Sequence, residues 1–243
     1  MTPEERQARL DLAAAYRAVA MYGWDDLVFT HISARVPGPE HHFLINPYGM
    51  LFEEITASSL VKIDLGGNKV DKSPYDINPA GFTIHSAVHE AREDAQCVIH
   101  LHTLEGVAVS CQKQGLLALS QQSLFPLIGL AYHDYEGVAL NPAEKVRLVR
   151  DLGANNNMIL RNHGLLTCGP TVADAFLSMY ILQKACEVQI RAQAGGGELI
   201  PIPQPIVDGI RKASTEVLRG SGGMLAWPGL LRKLDRLDPS WRD

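Results

Sequence analysis

Cys97-Val98-Ile99-His100-Leu101-His102-Thr103 decides the reading of this chain. The run is short, rich in β-branched residues and flanked by helical patterns, which predicts a buried strand. Side chains alternate across a strand, so His100 and His102 share one face while Ile99 and Leu101 share the other. A metal ion is a common reason to hold two neutral imidazoles side by side, each offering a lone pair once its other nitrogen is engaged. Two separately hydrogen-bonded histidines are the alternative. About sixty residues later, Met158-Ile159-Leu160-Arg161-Asn162-His163-Gly164 is a second apolar strand that runs into a third histidine, with Gly164 allowing a tight turn. His100, His102 and His163 are therefore the candidate metal ligands. Three neutral ligands leave open positions and little charge compensation, which suits Lewis-acid chemistry on a bidentate oxyanion.

Outward from this pair, Phe82 to Arg92 has helical periodicity, and Thr2-Pro3-Glu4-Glu5 opens a helix running to about Met21. Val28 to Val36 and His42 to Ile45 read as paired strands, and Val61 to Asp64 as a strand leading through Gly66-Gly67 to another near Val70. Gly115 to Tyr132 reads as core strand and turn. Asn141-Pro142-Ala143-Glu144 repeats the cap, proline and acid pattern for a helix ending at Gly153, and Thr171 caps a long helix that stops at Gly195. Pro201, Pro203 and Pro205 make an extended connector before a helix from about Ile206 to Leu218 and a tail from Trp227 to Asp243. The expectation is an α/β fold with residues 1–200 as the main domain and 201–243 as a C-terminal extension, packed on that domain or on a neighbouring subunit.

Twenty-two Lys and Arg against twenty-seven Asp and Glu give a charge of −5, so neither nucleic acid nor an anionic membrane is an expected partner. The N-terminus lacks the apolar core of a signal peptide, and the greasiest window is broken by Ser120-Gln121-Gln122-Ser123 and Pro126. Four widely spaced cysteines without C-x-x-C suit a reducing cytoplasm. No G-x-G-x-x-G or P-loop pattern occurs, which leaves dinucleotide binding unsupported. Among the remaining histidines, His31 sits on an apolar strand where core and site are equally good readings. His85 and His89 lie one turn apart on a helix, His85 being the better candidate to line a site and His89 reading as partly exposed or capped. His41 and His42 adjoin a turn and read as solvated.

Val98-Ile99-His100-Leu101-His102-Thr103 together with Arg161-Asn162-His163-Gly164 resembles the class II aldolase and adducin head family, over roughly Glu5 to Ala194. The resemblance implies a three-layer α/β/α sandwich and a homotetramer with active sites between subunits. It also implies a divalent metal, zinc first and manganese, iron or cobalt as alternatives. Sugar-phosphate aldolases of the family carry P-S-S-E where this chain has Asn78-Pro79-Ala80-Gly81, so the acid/base Glu is replaced by Gly81 and the phosphate-binding serines are absent. Other phosphate positions fall at Thr30-His31 and Tyr48-Gly49. The resemblance thus points to a small-molecule substrate without phosphate. Its candidate contacts are His31, Tyr48, Gly81, His85 and Arg161, the last for a carboxylate. His133 falls near a Tyr that reaches in from a neighbouring subunit, and His133 and Glu136 are candidates for the missing acid/base. The expected activity is metal-dependent carbon–carbon cleavage of an oxyacid, by decarboxylation or aldol-type chemistry. The alternatives are an adducin-like scaffold without catalysis and an iron-dependent oxygenase.

Overall fold

The pattern of short β-branched runs and longer amphipathic ones becomes, in a computed structural model describing residues 1–137, 143–218 and 222–243, a sheet covered by helices on both faces. Along the chain these are α1 (Pro3–Met21), β1 (His31–Arg35), β2 (Phe43–Ile45), β3 (Val61–Ile63), α2 (Pro79–Ala91), β4 (Cys97–Leu101), α3 (Leu104–Ser110), α4 (Gln121–Leu127), β5 (Leu130–His133), α5 (Glu144–Leu152), β6 (Asn157–Leu160), β7 (Gly164–Gly169), α6 (Val172–Ala194), α7 (Gln204–Leu218) and α8 (Trp227–Leu237). Among the described residues the strands form one sheet in the order β3-β2-β1-β4-β7-β6-β5. Only β5 and β6 of these neighbours run parallel.

Strand alternation divides the core in two. Ile32, Ile99, Leu101, Ile159 and Leu165 face α1 and α6, where Tyr16, Phe176 and Met179 meet them. Val98, Met158, Leu160 and Leu166 face α2 and α5, against Ile84, Val88, Leu148 and Leu152. Each such side chain, removed from water, stabilises the sandwich by about 1.5–3 kcal/mol before chain entropy is counted. Thr2 caps α1 by accepting from Glu5 N–H at 3.1 Å, and Thr171 caps α6 by accepting from Asp174 N–H at 3.0 Å. The C-terminal segment returns to the first layer: Trp227 and Trp241 are buried, and Trp227 Nε1–H donates to Asp11 at 2.8 Å. No helix among the described residues is long and apolar enough to cross a membrane.

Several local expectations are corrected. β1 begins at His31 rather than Val28, because Leu27 and Thr30 take φ of +51° and +67° and break the extended run. The strand near Val70 reduces to a single bridge between Ile63 and Lys69. Gly115 to Tyr132 contains α4, opened where Ser120 and Ser123 cap each other, before the chain enters β5. α2 begins at Pro79, where a proline is tolerated at the first helical position. α3 supplies the helical flank expected after Thr103, whereas β7 had no expectation. The cap expected at Asn141 and Pro142 lies outside the described residues; α5 starts at Glu144.

Candidate metal and substrate site

β1 and β4 pair antiparallel with His31 opposite His100, so alternation places His31, Ser33 and His100 on the sheet face beneath α2. His102 follows one residue past the end of β4. His163 sits in the tight connection from β6 to β7, where Asn162 takes φ of +56° and His163 N–H donates to Leu160 O at 3.1 Å. Gly164 is required there: a Cβ on it would lie 2.5 Å from Leu101 O, so only glycine lets this turn close against β4. The three rings converge, with centroids 4.7 Å (His100–His163), 4.8 Å (His102–His163) and 4.8 Å (His100–His102) apart. One ligand atom from each lies within 4.8 Å of the others.

The hydrogen bonds around these rings fix which nitrogens carry lone pairs. His100 Nδ1–H donates to Leu165 O at 3.0 Å, and His102 Nδ1–H donates to Asp26 Oδ2 at 3.0 Å. In neutral rings both Nε2 atoms are then acceptors, yet they face each other at 3.1 Å. Two lone pairs at that distance repel unless a cation lies between them. Nitrogens about 2.0–2.1 Å from one ion are about 3–3.4 Å apart. The donor set thus fits a divalent metal held by His100, His102 and His163, with Asp26 and the Leu165 carbonyl orienting two of the rings. Burial and the neighbouring imidazoles hold His163 down to about 4 and His100 well below the ordinary histidine value, so these two rings are neutral and ready to ligate at pH 7.

A cavity of about 410 Å³ opens over the cluster. Of the substrate candidates, His31, Tyr48 and Gly81 line it. Phe29, Thr30 and Tyr135 line it as well. Thr30 is β-branched at φ of +67°, and its buried hydroxyl has no hydrogen-bond partner, a strained polar group at the edge of the cavity. Among the described lining residues there is no Lys or Arg.

His85 lies behind His31, 1% exposed, with ring centroids 5.2 Å apart. His89 is also 1% exposed rather than partly solvated, because its ring packs on Phe43 with centroids 4.5 Å apart and its Nδ1–H donates to Ala95 O at 2.8 Å. His41 is exposed, as expected, and bonded to Arg35. Arg161 is not brought to the cavity: its guanidinium stacks 4.2 Å above Tyr132 and donates to Gln112 O at 2.8 Å. His133 donates from Nδ1 to Asp151 at 2.8 Å and has Glu144 3.6 Å from Nε2, while Glu136 pairs with Arg147. Neither His133 nor Glu136 lines the histidine cavity.

Asp26 and Ser33 escaped the sequence reading. Ser33 had a signal, since it lies two residues from His31 and so on the same strand face; Asp26, 76 residues before its partner, had none.

Known proteins now bear on the geometry. A family model described as Class II Aldolase and Adducin N-terminal domain matches residues 10–190. A protein of Pseudomonas aeruginosa, provisionally named an aldolase class 2 protein, is 65% identical over 98% of this chain and 93% of its own length. Mouse alpha-adducin is 42% identical over 96% of this chain, which spans only 34% of that protein. Among solved structures, an aldolase II superfamily protein from Pseudomonas syringae is 48% identical with a TM-score of 0.96, covering 100% of this chain and 98% of its own. An L-fuculose 1-phosphate aldolase from Glaciozyma antarctica is 29% identical with a TM-score of 0.84, covering 99% and 93%. The chain belongs to the class II aldolase and adducin N-terminal domain family.

Proposed function

We propose that this protein is a divalent-metal lyase that cleaves a carbon–carbon bond of a small oxyacid without phosphate, by aldol-type cleavage or decarboxylation. The observation that carries the reading is the pair of Nε2 lone pairs 3.1 Å apart at the floor of a cavity. Zinc is the first choice of metal, since three imidazoles with an open position are a common catalytic zinc set. When bound, such an ion supplies Lewis-acid stabilisation of an enolate or carbanion. The chain itself supplies shape and polarity: His100, His102 and His163 hold the ion, Phe29 and Tyr48 wall the cavity, and His31 with Thr30 offers polar contacts. The lack of a cationic side chain among the described lining residues favours a carboxylate held by the metal over a phosphate, which ordinarily recruits Arg, Lys or several N–H donors. We place the protein in the cytoplasm as a homotetramer, with residues 201–243 as an extension of the domain formed by 1–200. His133 and Glu136 are the acid/base candidates, serving the cavity of a neighbouring protomer.

The test is a screen of hydroxylated and 2-oxo acids with zinc- and manganese-loaded protein beside His100→Ala. Metal-dependent turnover lost in the variant is expected; turnover that persists in metal-free His100→Ala protein would refute the lyase reading. The identity to mouse alpha-adducin supports a second reading, a binding module without catalysis. Stoichiometric metal with no turnover across the screen would favour it.

A further inference from the structure

Under the cavity lies a buried polar series that the metal reading does not use. His89 Nδ1–H donates to Ala95 O at 2.8 Å, which leaves its Nε2 as an acceptor. Ser33 Oγ lies 2.7 Å from that Nε2 and 2.7 Å from His85 Nδ1. A hydroxyl has one proton, so Ser33 donates to His89 and accepts from His85 Nδ1–H. His85 Nε2 is therefore a bare lone pair, and it is buried without a partner. His31 Nδ1, on the neighbouring edge-to-face ring 5.2 Å away, is also buried without a partner. One can only accept and the other is able to donate. The terminal ring torsion of a histidine is broad, so the turn that joins them costs less than leaving two buried nitrogens unsatisfied.

The far edge of the His31 ring borders the cavity. Its Nε2 would stand 2.0 Å from a Cβ on Gly81, so the ring occupies the space that a side chain at position 81 would take. If Nδ1 carries the proton, Nε2 is an acceptor.

We propose that the series His89–Ser33–His85 fixes the tautomer of His31, so that its cavity-facing Nε2 accepts a hydrogen bond and selects a hydroxylated oxyacid over its 2-oxo counterpart. This deepens the oxyacid reading and rests on it for the class of ligand; it favours the aldol-type member of the proposed chemistry, whose substrates carry a hydroxyl. Ser33 and His89 act here as positioning residues. Removing the Ser33 hydroxyl, or the acceptor on His89, frees His85 to carry its proton on Nε2. His31 then takes the opposite tautomer and offers the cavity a donor.

Nitrogen-15 histidine NMR at neutral pH tests the relay without any ligand or metal. His85 and His89 are expected as Nδ1–H tautomers in the wild type, with His85 converting to Nε2–H in Ser33→Ala and in His89→Phe, and Ser33→Thr retaining the wild-type pattern. Either of the first two variants, if folded, suffices. The second readout is the affinity ratio of lactate to pyruvate for zinc-loaded protein, expected to fall about tenfold in Ser33→Ala and to be restored in Ser33→Thr. His85 protonated at Nε2 in the wild type, or a ratio unchanged by a proven tautomer switch, would overturn the proposal. Failure to bind zinc would instead count against the lyase reading, leaving the NMR result to decide the relay.

Discussion

At the residue scale, the pocket is shaped by a trade between positions 31 and 81. An alanine at 81 would bring its Cβ to 2.0 Å from His31 Nε2, an overlap that must displace the ring. Gly81→Ala is therefore expected to destabilise the protein by about 1–3 kcal/mol despite the better helix propensity of alanine, whereas in a His31→Ala background the same change is expected to be neutral or to stabilise by up to about 1 kcal/mol. Urea unfolding of the four proteins of this cycle checks it, and equal effects in both backgrounds would remove the overlap as the reason for the glycine. Asp26→Asn is expected to weaken zinc about 10- to 100-fold, by loosening the His102 ring rather than deleting a ligand; competition with a chromogenic chelator reads this directly. Both predictions concern residues of uneven legibility. Period-two alternation was enough to put His100 and His102 on one face, but Asp26 meets His102 only through the fold, and no local pattern marks it.

At the element scale, β1 is the strand on which the site depends, and it is held in an unusual way. Its ladder to β2 runs only through Ala34 and Arg35, leaving Ile32 without a partner on that side. The Tyr16 hydroxyl on α1 fills the gap, accepting from Ile32 N–H at 2.7 Å and donating to Ile32 O at 2.5 Å. One phenol thus replaces a strand pair and leaves the end of the sheet beside His31 open to the cavity. Tyr16→Phe is expected to cost about 1–3 kcal/mol, since a buried N–H and carbonyl lose their partner, with hydrogen exchange at Ile32 accelerating more than at Ile99. Uniform acceleration would mean the hydroxyl is not what secures β1. The elements that escaped the sequence reading share a physical cause. β7 is bounded by Gly164 and Gly169 and follows a turn, so it reads as loop until β4 and β6 supply its partners. α4 hides in an apolar run whose only helical mark is the pair Ser120 and Ser123. The strands and helices with strong local punctuation, β4, α1 and α6, were legible because cap and period agree.

At the scale of the whole molecule, buried neutral histidines make the fold sensitive to acid. Burial holds His89 down to about 3 and His85 well below the ordinary value. Above about pH 6.5 both residues are neutral folded or unfolded, and stability from this source is flat. As pH falls below 6.5 the unfolded chain takes up protons that the folded chain refuses, so stability declines by up to about 1.4 kcal/mol per pH unit for each such histidine until the folded state protonates too, near 3 for His89. The urea midpoint is expected to be lower at pH 5 than at pH 7.5, with a smaller drop in His89→Phe; equal midpoints would contradict a neutral buried pair.

The most direct measurement is the metal content of protein purified without a histidine tag, by mass spectrometry, beside the His100→Ala, His163→Ala double variant. Near one divalent ion per chain, lost in a variant that remains folded, is the expected result. Little metal in either protein after incubation with zinc, manganese or iron would contradict the assignment and leave the three converging histidines as a structural cluster.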